Sequence, residues 1–171
     1  MVDQLEDVTI RTATPDDARA IARVHIASWR EAYAGIVPDE YLSSLDIDAR
    51  EKRWLDVISD GTSSTWLAEI ARRTVGFANI GPCRDEDAEE GDLELYAIYL
   101  DPEAWGRGVA RDLMRTLLAE VPPTTPVSLW VLADNDRARH FYRRHGFAPD
   151  GVEKIEEYSD KGLTEVRYRR A

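Results

Sequence analysis

The 171-residue chain is 43% hydrophobic and 32% charged, with 33 acidic against 22 basic side chains and a formal net charge of -11. That composition excludes a disordered chain and one threaded through a membrane, and its acidic balance argues against a nucleic-acid backbone as partner, which needs clustered Lys and Arg. A single domain over residues 1–171 is expected, long enough to bury roughly 70% of the surface its unfolded form exposes, so no disulfide or structural metal is required.

The first ten residues carry Asp3, Glu6 and Asp7 and lack a basic start followed by an apolar run, so no signal peptide is expected and a cytoplasmic location is the default. Residues Val8 to Thr12 alternate as a first strand should, and Thr14-Pro15-Asp16-Asp17 reads as a helix start: threonine caps, proline takes the first turn and acids face the dipole. Ile21, His25, Ser28, Trp29 and Ala32 fall at helical spacing, which predicts a helix to about Tyr33 that stops at Gly35, with His25 a packed residue rather than a ligand. A second helical stretch runs from Asp39 through Asp60, broken near Asp46 to Asp48 and closed by Gly61. Strands follow at Thr65 to Ile70 and Val75 to Ile80, joined by a turn at Arg72-Arg73. Arg84 to Asp92 holds six acids in nine positions and reads as a solvated loop, with a lure for a polyamine or metal as the other reading. The lone Cys83 beside Pro82 reads as a bystander thiol.

Asp92 to Leu100 is nearly all apolar, as befits a central strand covered on both faces. It leads through Pro102 into Gly106-Arg107-Gly108, after which Val109, Ala110, Leu113, Met114, Leu117 and Leu118 form a helix-period stripe that ends before Pro122-Pro123. Val127 to Leu132 is another buried strand. Asp134 is expected to cap a helix bearing Ala138, Phe141, Tyr142 and His145 and closed by Gly146. Two last strands, about Val152 to Tyr158 and Leu163 to Arg169, meet at a Ser159-Asp160-Lys161-Gly162 turn. The order describes one mixed α/β domain.

Two segments carry candidate chemistry. Glycines opening a helix after a strand offer unpaired N–H donors and the positive end of a helix dipole to an anion, and they let the backbone approach it closely. Some thirty residues on, Asn135 and Tyr142 are seven apart, on one helix face and about 10.5 Å apart along the axis. The two segments resemble the core motifs of the GNAT acyltransferases, which bind acetyl-CoA. The family pattern of Gln/Arg-x-x-Gly-x-Gly/Ala, then Asn-x-x-Ala with Tyr and Gly-Phe, is met at Gly106, Gly108, Asn135, Ala138, Tyr142, Gly146 and Phe147. It is not met at Glu103, where the family commonly has Gln or Arg, nor at Trp105, where many members are polar or basic. Specific matching covers about Asp92 to Phe147.

The resemblance implies the GNAT fold, a central, mostly antiparallel mixed sheet flanked by helices. It implies that the backbone of Ile98 to Leu100, Tyr99 between them, pairs with the pantetheine arm as an added strand. The amides from Trp105 through Gly106, Arg107, Gly108 and Val109 to Ala110 then hold the pyrophosphate, with Arg107 or Arg111 nearby. Glu103 would repel a phosphate, which places the binding on backbone rather than on that side chain. The implied reaction is direct attack of a primary amine, on a small molecule or a peptide, at the thioester.

A free alkylammonium has a pKa near 10.4, so something must take its proton. Glu94, a charge inside an apolar strand, is the candidate base and Asp92 the second; an exposed strand end or an arginine partner would equally explain Glu94. Tyr142 would donate to the departing thiolate, or else pack as a core tyrosine. Asn135 orients the cofactor or caps its helix. Trp29, Tyr33 and Tyr41 resemble an acceptor-side pattern of many bacterial members; an aromatic wall can hold a cation, and the same residues can be core. His140 and His145 are off the spacing a metal favours, and no metal is expected. The acidic excess serves solubility or steers cationic substrates, and the oligomeric state is left between monomer and homodimer.

A dinucleotide-binding domain is the rival reading. It lacks its third glycine, Arg111 standing there, and Pro102 to Trp105 intervene where that fold turns at once. A non-catalytic acyl-CoA-binding regulatory domain is the other alternative; it would keep the glycine turn and leave Glu94 and Tyr142 without a chemical part.

Overall fold

A computed structural model describes residues 7–171, so Asp3 and Glu6 lie outside the described residues. The chain runs β1 (Val8–Thr12), α1 (Ala18–Ala32), α2 (Asp39–Ser43), α3 (Ile47–Asp60), β2 (Ser64–Ile70), β3 (Arg73–Pro82) and β4 (Leu93–Leu100). It continues with α4 (Val109–Ala119), β5 (Val127–Leu132), α5 (Asp136–Arg144), β6 (Ala148–Tyr158) and β7 (Lys161–Arg170). One seven-stranded sheet has the order β1-β2-β3-β4-β5-β7-β6. Every neighbouring pair is antiparallel except β4 with β5.

Period-two alternation along the strands divides two cores. On one face Ala78, Ile80, Leu95, Ile98 and Leu100 join Val127, Leu129 and Val131 under Leu113, Met114 and Leu117 of α4, with Tyr142 and Phe147. On the other, Leu67 and Phe77 meet Ile21 and Val24 of α1 and Trp54 of α3. Beyond them Leu132, Tyr158 and Leu163 pack on Tyr33, Val37 and Leu42. β4 is the fourth of seven strands, which is why its sequence is apolar on both faces.

The helical stretch from Asp39 to Asp60 breaks as expected, because the Asp46 carboxylate accepts from the Ala49 amide and starts α3 afresh. Three expectations need correction. Asn135, not Asp134, is the N-cap of α5, its side-chain oxygen accepting from the Ala138 amide at 3.2 Å. The acidic loop is not simply solvated: Arg167, with a side chain only 7% exposed, pairs with Asp85, Asp87 and Asp150 at 3.3, 2.6 and 2.6 Å. β6 also begins earlier than Val152, at Ala148, and reaches Glu153 through an irregularity in its pairing with β7. A bulge absorbs extra residues that strict alternation cannot register.

Candidate active site

β4 and β5 pair at only two positions, Leu93 with Val127 and Glu94 with Ser128. Past that apex no further position of one strand pairs with the other among the described residues, so a wedge opens between their C-terminal halves. β4 also carries a register shift opposite Asn79 and Ile80, which leaves Tyr96 without a partner there. The shift places Leu95 and Ile98 on one face despite their three-residue spacing, while Ala97 and Tyr99 face α1 and α3.

The wedge opens onto the glycine turn. Gly106 and Gly108 both have φ of +79°, the left-handed region, and Gly108 is the N-cap of α4. Among the described residues, no backbone N–H from Gly106 to Ala110 has a hydrogen-bond partner. The turn is anchored from behind. Asp101 accepts from the Glu103 amide at 3.1 Å and is ion-paired to Arg23 of α1 at 2.9 Å, while Arg23 also donates to the Thr74 carbonyl. Glu103 is directed away from the amides, 80% exposed and 3.8 Å from Arg73. The Trp105 indole donates to the Leu100 carbonyl at 3.2 Å, and the Arg137 guanidinium of α5 lies 4.1 Å from its ring centre. Trp105 thus ties the end of β4, the turn and α5 together. Arg107 and Arg111 are exposed beside it.

α5 is fixed by Arg139, which donates to the Tyr168 hydroxyl at 2.9 Å and to the Ala133 carbonyl at 2.7 Å. Tyr142 is buried among Phe141, Phe147 and Tyr168, and its hydroxyl has no hydrogen bond among the described residues. Burial first, and Tyr99 second, push its ionisation well above the ordinary tyrosine range. Burial likewise raises Tyr33, on which Tyr99 and Tyr142 both act.

At the apex Glu94 is 3% exposed. Its carboxylate takes the Arg84 guanidinium at 2.9 Å and the Arg84 amide at 3.1 Å, while the Arg84 side chain is 66% exposed and covers the Tyr96 ring at 4.0 Å. Cys83 Sγ sits 3.4 Å from the Ser128 hydroxyl, beside Asp85 and Glu94. Asp92 instead caps the end of the acidic loop, accepting from the Glu89 amide at 3.0 Å.

Trp29, Tyr33 and Tyr41 belong to one ring cluster with His25, Tyr99 and Tyr158. Trp29 lies 4.7 Å from Tyr33, 6.2 Å from Tyr41, 6.1 Å from Tyr99 and 6.1 Å from Tyr158, centre to centre. His25 stacks on Tyr99 at 5.3 Å, and its Nδ1 accepts from the Trp54 indole at 3.1 Å. A groove of about 340 Å³ runs beside this cluster, lined by Ile36, Leu132, Asp134 and Leu163 among others. Tyr158 and Glu165 were not singled out by the sequence. Alternation in β7 was the available signal, since it puts Leu163, Glu165 and Arg167 on one face.

The family model described as "Acetyltransferase (GNAT) family" matches residues 26–147. The chain is similar to the uncharacterized N-acetyltransferase YuaI of Bacillus subtilis, 41% identical over 109 residues that cover 63% of this chain and 60% of YuaI. It is 30% identical to the uncharacterized N-acetyltransferase Rv2669 of Mycobacterium tuberculosis, over 80% of this chain and 86% of that protein. Its fold is similar to that of the PaiA N-acetyltransferase of Thermoplasma acidophilum crystallised with coenzyme A, with a TM-score of 0.69, 19% identity and coverage of 96% and 98%.

Proposed function

The chain belongs to the GNAT acetyltransferase family, and from that membership we propose that it transfers an acetyl group from acetyl-CoA to a primary amine of a small molecule or peptide. One observation carries the reading: a wedge between β4 and β5 whose mouth presents the unpartnered amides of Gly106 to Ala110. These residues fit coenzyme A. A pyrophosphate needs several N–H donors at a helix start, and an extended amide arm needs a free strand edge. When bound, acetyl-CoA supplies the thioester whose acetyl group passes to the amine.

The chain's own residues do the rest. The amides of Gly106 to Ala110 bind the pyrophosphate, and Arg107 and Arg111 offset its charge. The open edge of β4 at Ile98 pairs with the pantetheine arm; at Leu100 the carbonyl already accepts from Trp105, which fixes where that pairing ends. Tyr142 gives its proton to the departing sulfur, and its raised ionisation keeps that proton in place at neutral pH. Asn135 holds the first turn of α5 and so the direction of Tyr142. The amine loses a proton as the N–C bond forms and the C–S bond breaks. Glu94, paired with the exposed Arg84, receives that proton at the apex.

A second reading is favoured by one observation, that both Glu94 oxygens are already engaged by Arg84. In a non-catalytic acyl-CoA-binding domain the pair would be structural. Calorimetry with acetyl-CoA and thiol release over a panel of primary amines separate the two. Binding with turnover supports the transferase; binding without turnover on any amine supports the second reading, and absence of binding removes both.

A further inference from the structure

Glu165 stands apart from every group used above. It lies on β7, opposite Leu132 of β5 and Lys154 of β6. Its side chain is 13% exposed, yet its company is mostly apolar: Leu132, Leu163 and Tyr158 pack with Tyr33, Val37 and Leu42, and Trp29 and Tyr41 join them. One carboxylate oxygen accepts from the Tyr158 hydroxyl at 2.9 Å. The other is 3.7 Å from Lys154 Nζ, too far for a hydrogen bond. Among the described residues the Trp29 indole N–H is the one buried side-chain polar atom without a partner, so this second oxygen, ion-paired to Lys154 but not hydrogen-bonded, is open to a charged donor that enters.

The surroundings suit such a charge. Tyr158, which bonds Glu165, is 5.1 Å from Tyr41 and 6.1 Å from Trp29, and Trp29 is 6.1 Å from Tyr99, so a cluster of rings adjoins the carboxylate, and the groove lined by Leu132, Leu163 and Thr164 runs past it. Aromatic faces attract an alkylammonium most strongly where water is excluded. The approach is acidic as well, since Asp134 lines the adjoining groove and the whole chain carries a net charge of -11. Burial holds the protonation of Glu165 above the ordinary carboxylate range.

We propose that Glu165, with Trp29, Tyr41, Tyr99 and Tyr158, binds a positive charge of the acceptor, and that the acceptor is a dication such as an alkyl diamine. The inference rests on the acetyltransferase reading. The amine that attacks must be neutral, so a cation retained at Glu165 belongs to a second group of the same molecule. Glu165 is in this scheme a specificity-determining residue and takes no proton from the attacking nitrogen.

The test compares 1,4-diaminobutane and 1,6-diaminohexane with n-butylamine in thiol release. The wild type should favour at least one diamine by about tenfold or more in kcat/KM, mainly through KM, and Glu165→Gln should bring the ratio near one. Affinity for acetyl-CoA should be the same in both proteins. Equal kcat/KM for mono- and diamines in the wild type, or a diamine preference that survives in Glu165→Gln, overturns the proposal. Tryptophan fluorescence with either diamine and free coenzyme A decides the matter without turnover: saturable binding weakened about tenfold by Glu165→Gln supports the site, and binding indifferent to the substitution, or none, rejects it. Absence of turnover on all amines with such binding intact would fail the transferase reading alone.

Discussion

Tyr142 and His25 are both enclosed by rings, and enclosure moves their protonation in opposite directions because it always disfavours the charged form. For Tyr142 the charged form is the phenolate, so the proton stays on, as the proposed transfer to a leaving sulfur requires. Tyr142→Phe is expected to lower thiol release about 100-fold while the acetyl-CoA dissociation constant, read by calorimetry, stays within about twofold. For His25 the charged form is imidazolium, and burial, then Arg50 and Arg53, lower its pKa to about 3. The unfolded chain binds that proton near pH 6.5 and the folded chain does not, so stability is fully kept above about pH 6.5 and falls as pH drops towards 3. The slope from this group reaches about 1.4 kcal/mol per pH unit. Urea unfolding between about pH 7 and pH 5 should show the wild type losing stability more steeply than His25→Gln, whose amide oxygen can still accept from Trp54; parallel slopes would contradict the assignment.

At the scale of elements, the glycine turn joins β4 to α4 only because two residues can hold φ of +79°. A side chain in that region costs about 1–2 kcal/mol, and at Gly108 a Cβ would also come within 2.9 Å of the Arg111 guanidinium. Gly108→Ala is therefore expected to lower stability by that amount and to weaken acetyl-CoA binding several-fold, because the amides of the cradle shift together. Thermal unfolding and calorimetry measure the two effects. Unchanged affinity would mean that the cradle does not bind the pyrophosphate. Trp105 explains how the turn tolerates an acid at Glu103: the indole bonded to Leu100, with Arg137 over its ring, provides the anchoring, and Glu103 faces Arg73.

Across the whole molecule, Arg167 ties the β3–β4 loop, through Asp85 and Asp87, to β7 and, through Asp150, to β6. The Trp130 indole also donates to Asp85 at 3.0 Å. This latch sits next to the Arg84–Glu94 pair, so the loop that covers the apex of the wedge is held from the far half of the sheet. Replacing Arg167 by Ala leaves three carboxylates without their shared partner. The variant should unfold at lower temperature, and amide exchange over residues 84–92 should quicken well beyond that in β2 and β3. Uniform protection across the two regions would show that the latch does not hold the loop.

Most of the fold was legible because local rules and tertiary demands agree. The apolar run of β4, the glycines before α4, the break at Asp46 and the closures at Gly61 and Gly146 each have one local meaning. The cap of α5 was displaced by one residue because Asp134 and Asn135 are both good caps, and only the chain's path chooses between them. The ring cluster was legible as helix spacing at Trp29, Tyr33 and Tyr41, but not its partners Tyr99 and Tyr158, which arrive from distant strands.

By itself the sequence determined the family, the order of elements, and a glycine turn opening a helix with a tyrosine on a later helix, since these are patterns within short segments whose chemistry does not depend on distant neighbours. Only the tertiary structure decided that Arg84 covers Glu94, that the acidic loop is pinned by Arg167, and that Glu165 bonds Tyr158 at the edge of the ring cluster. Each is a charge pairing or burial between residues far apart in the chain, and electrostatic free energy depends on distance and desolvation that no local pattern encodes.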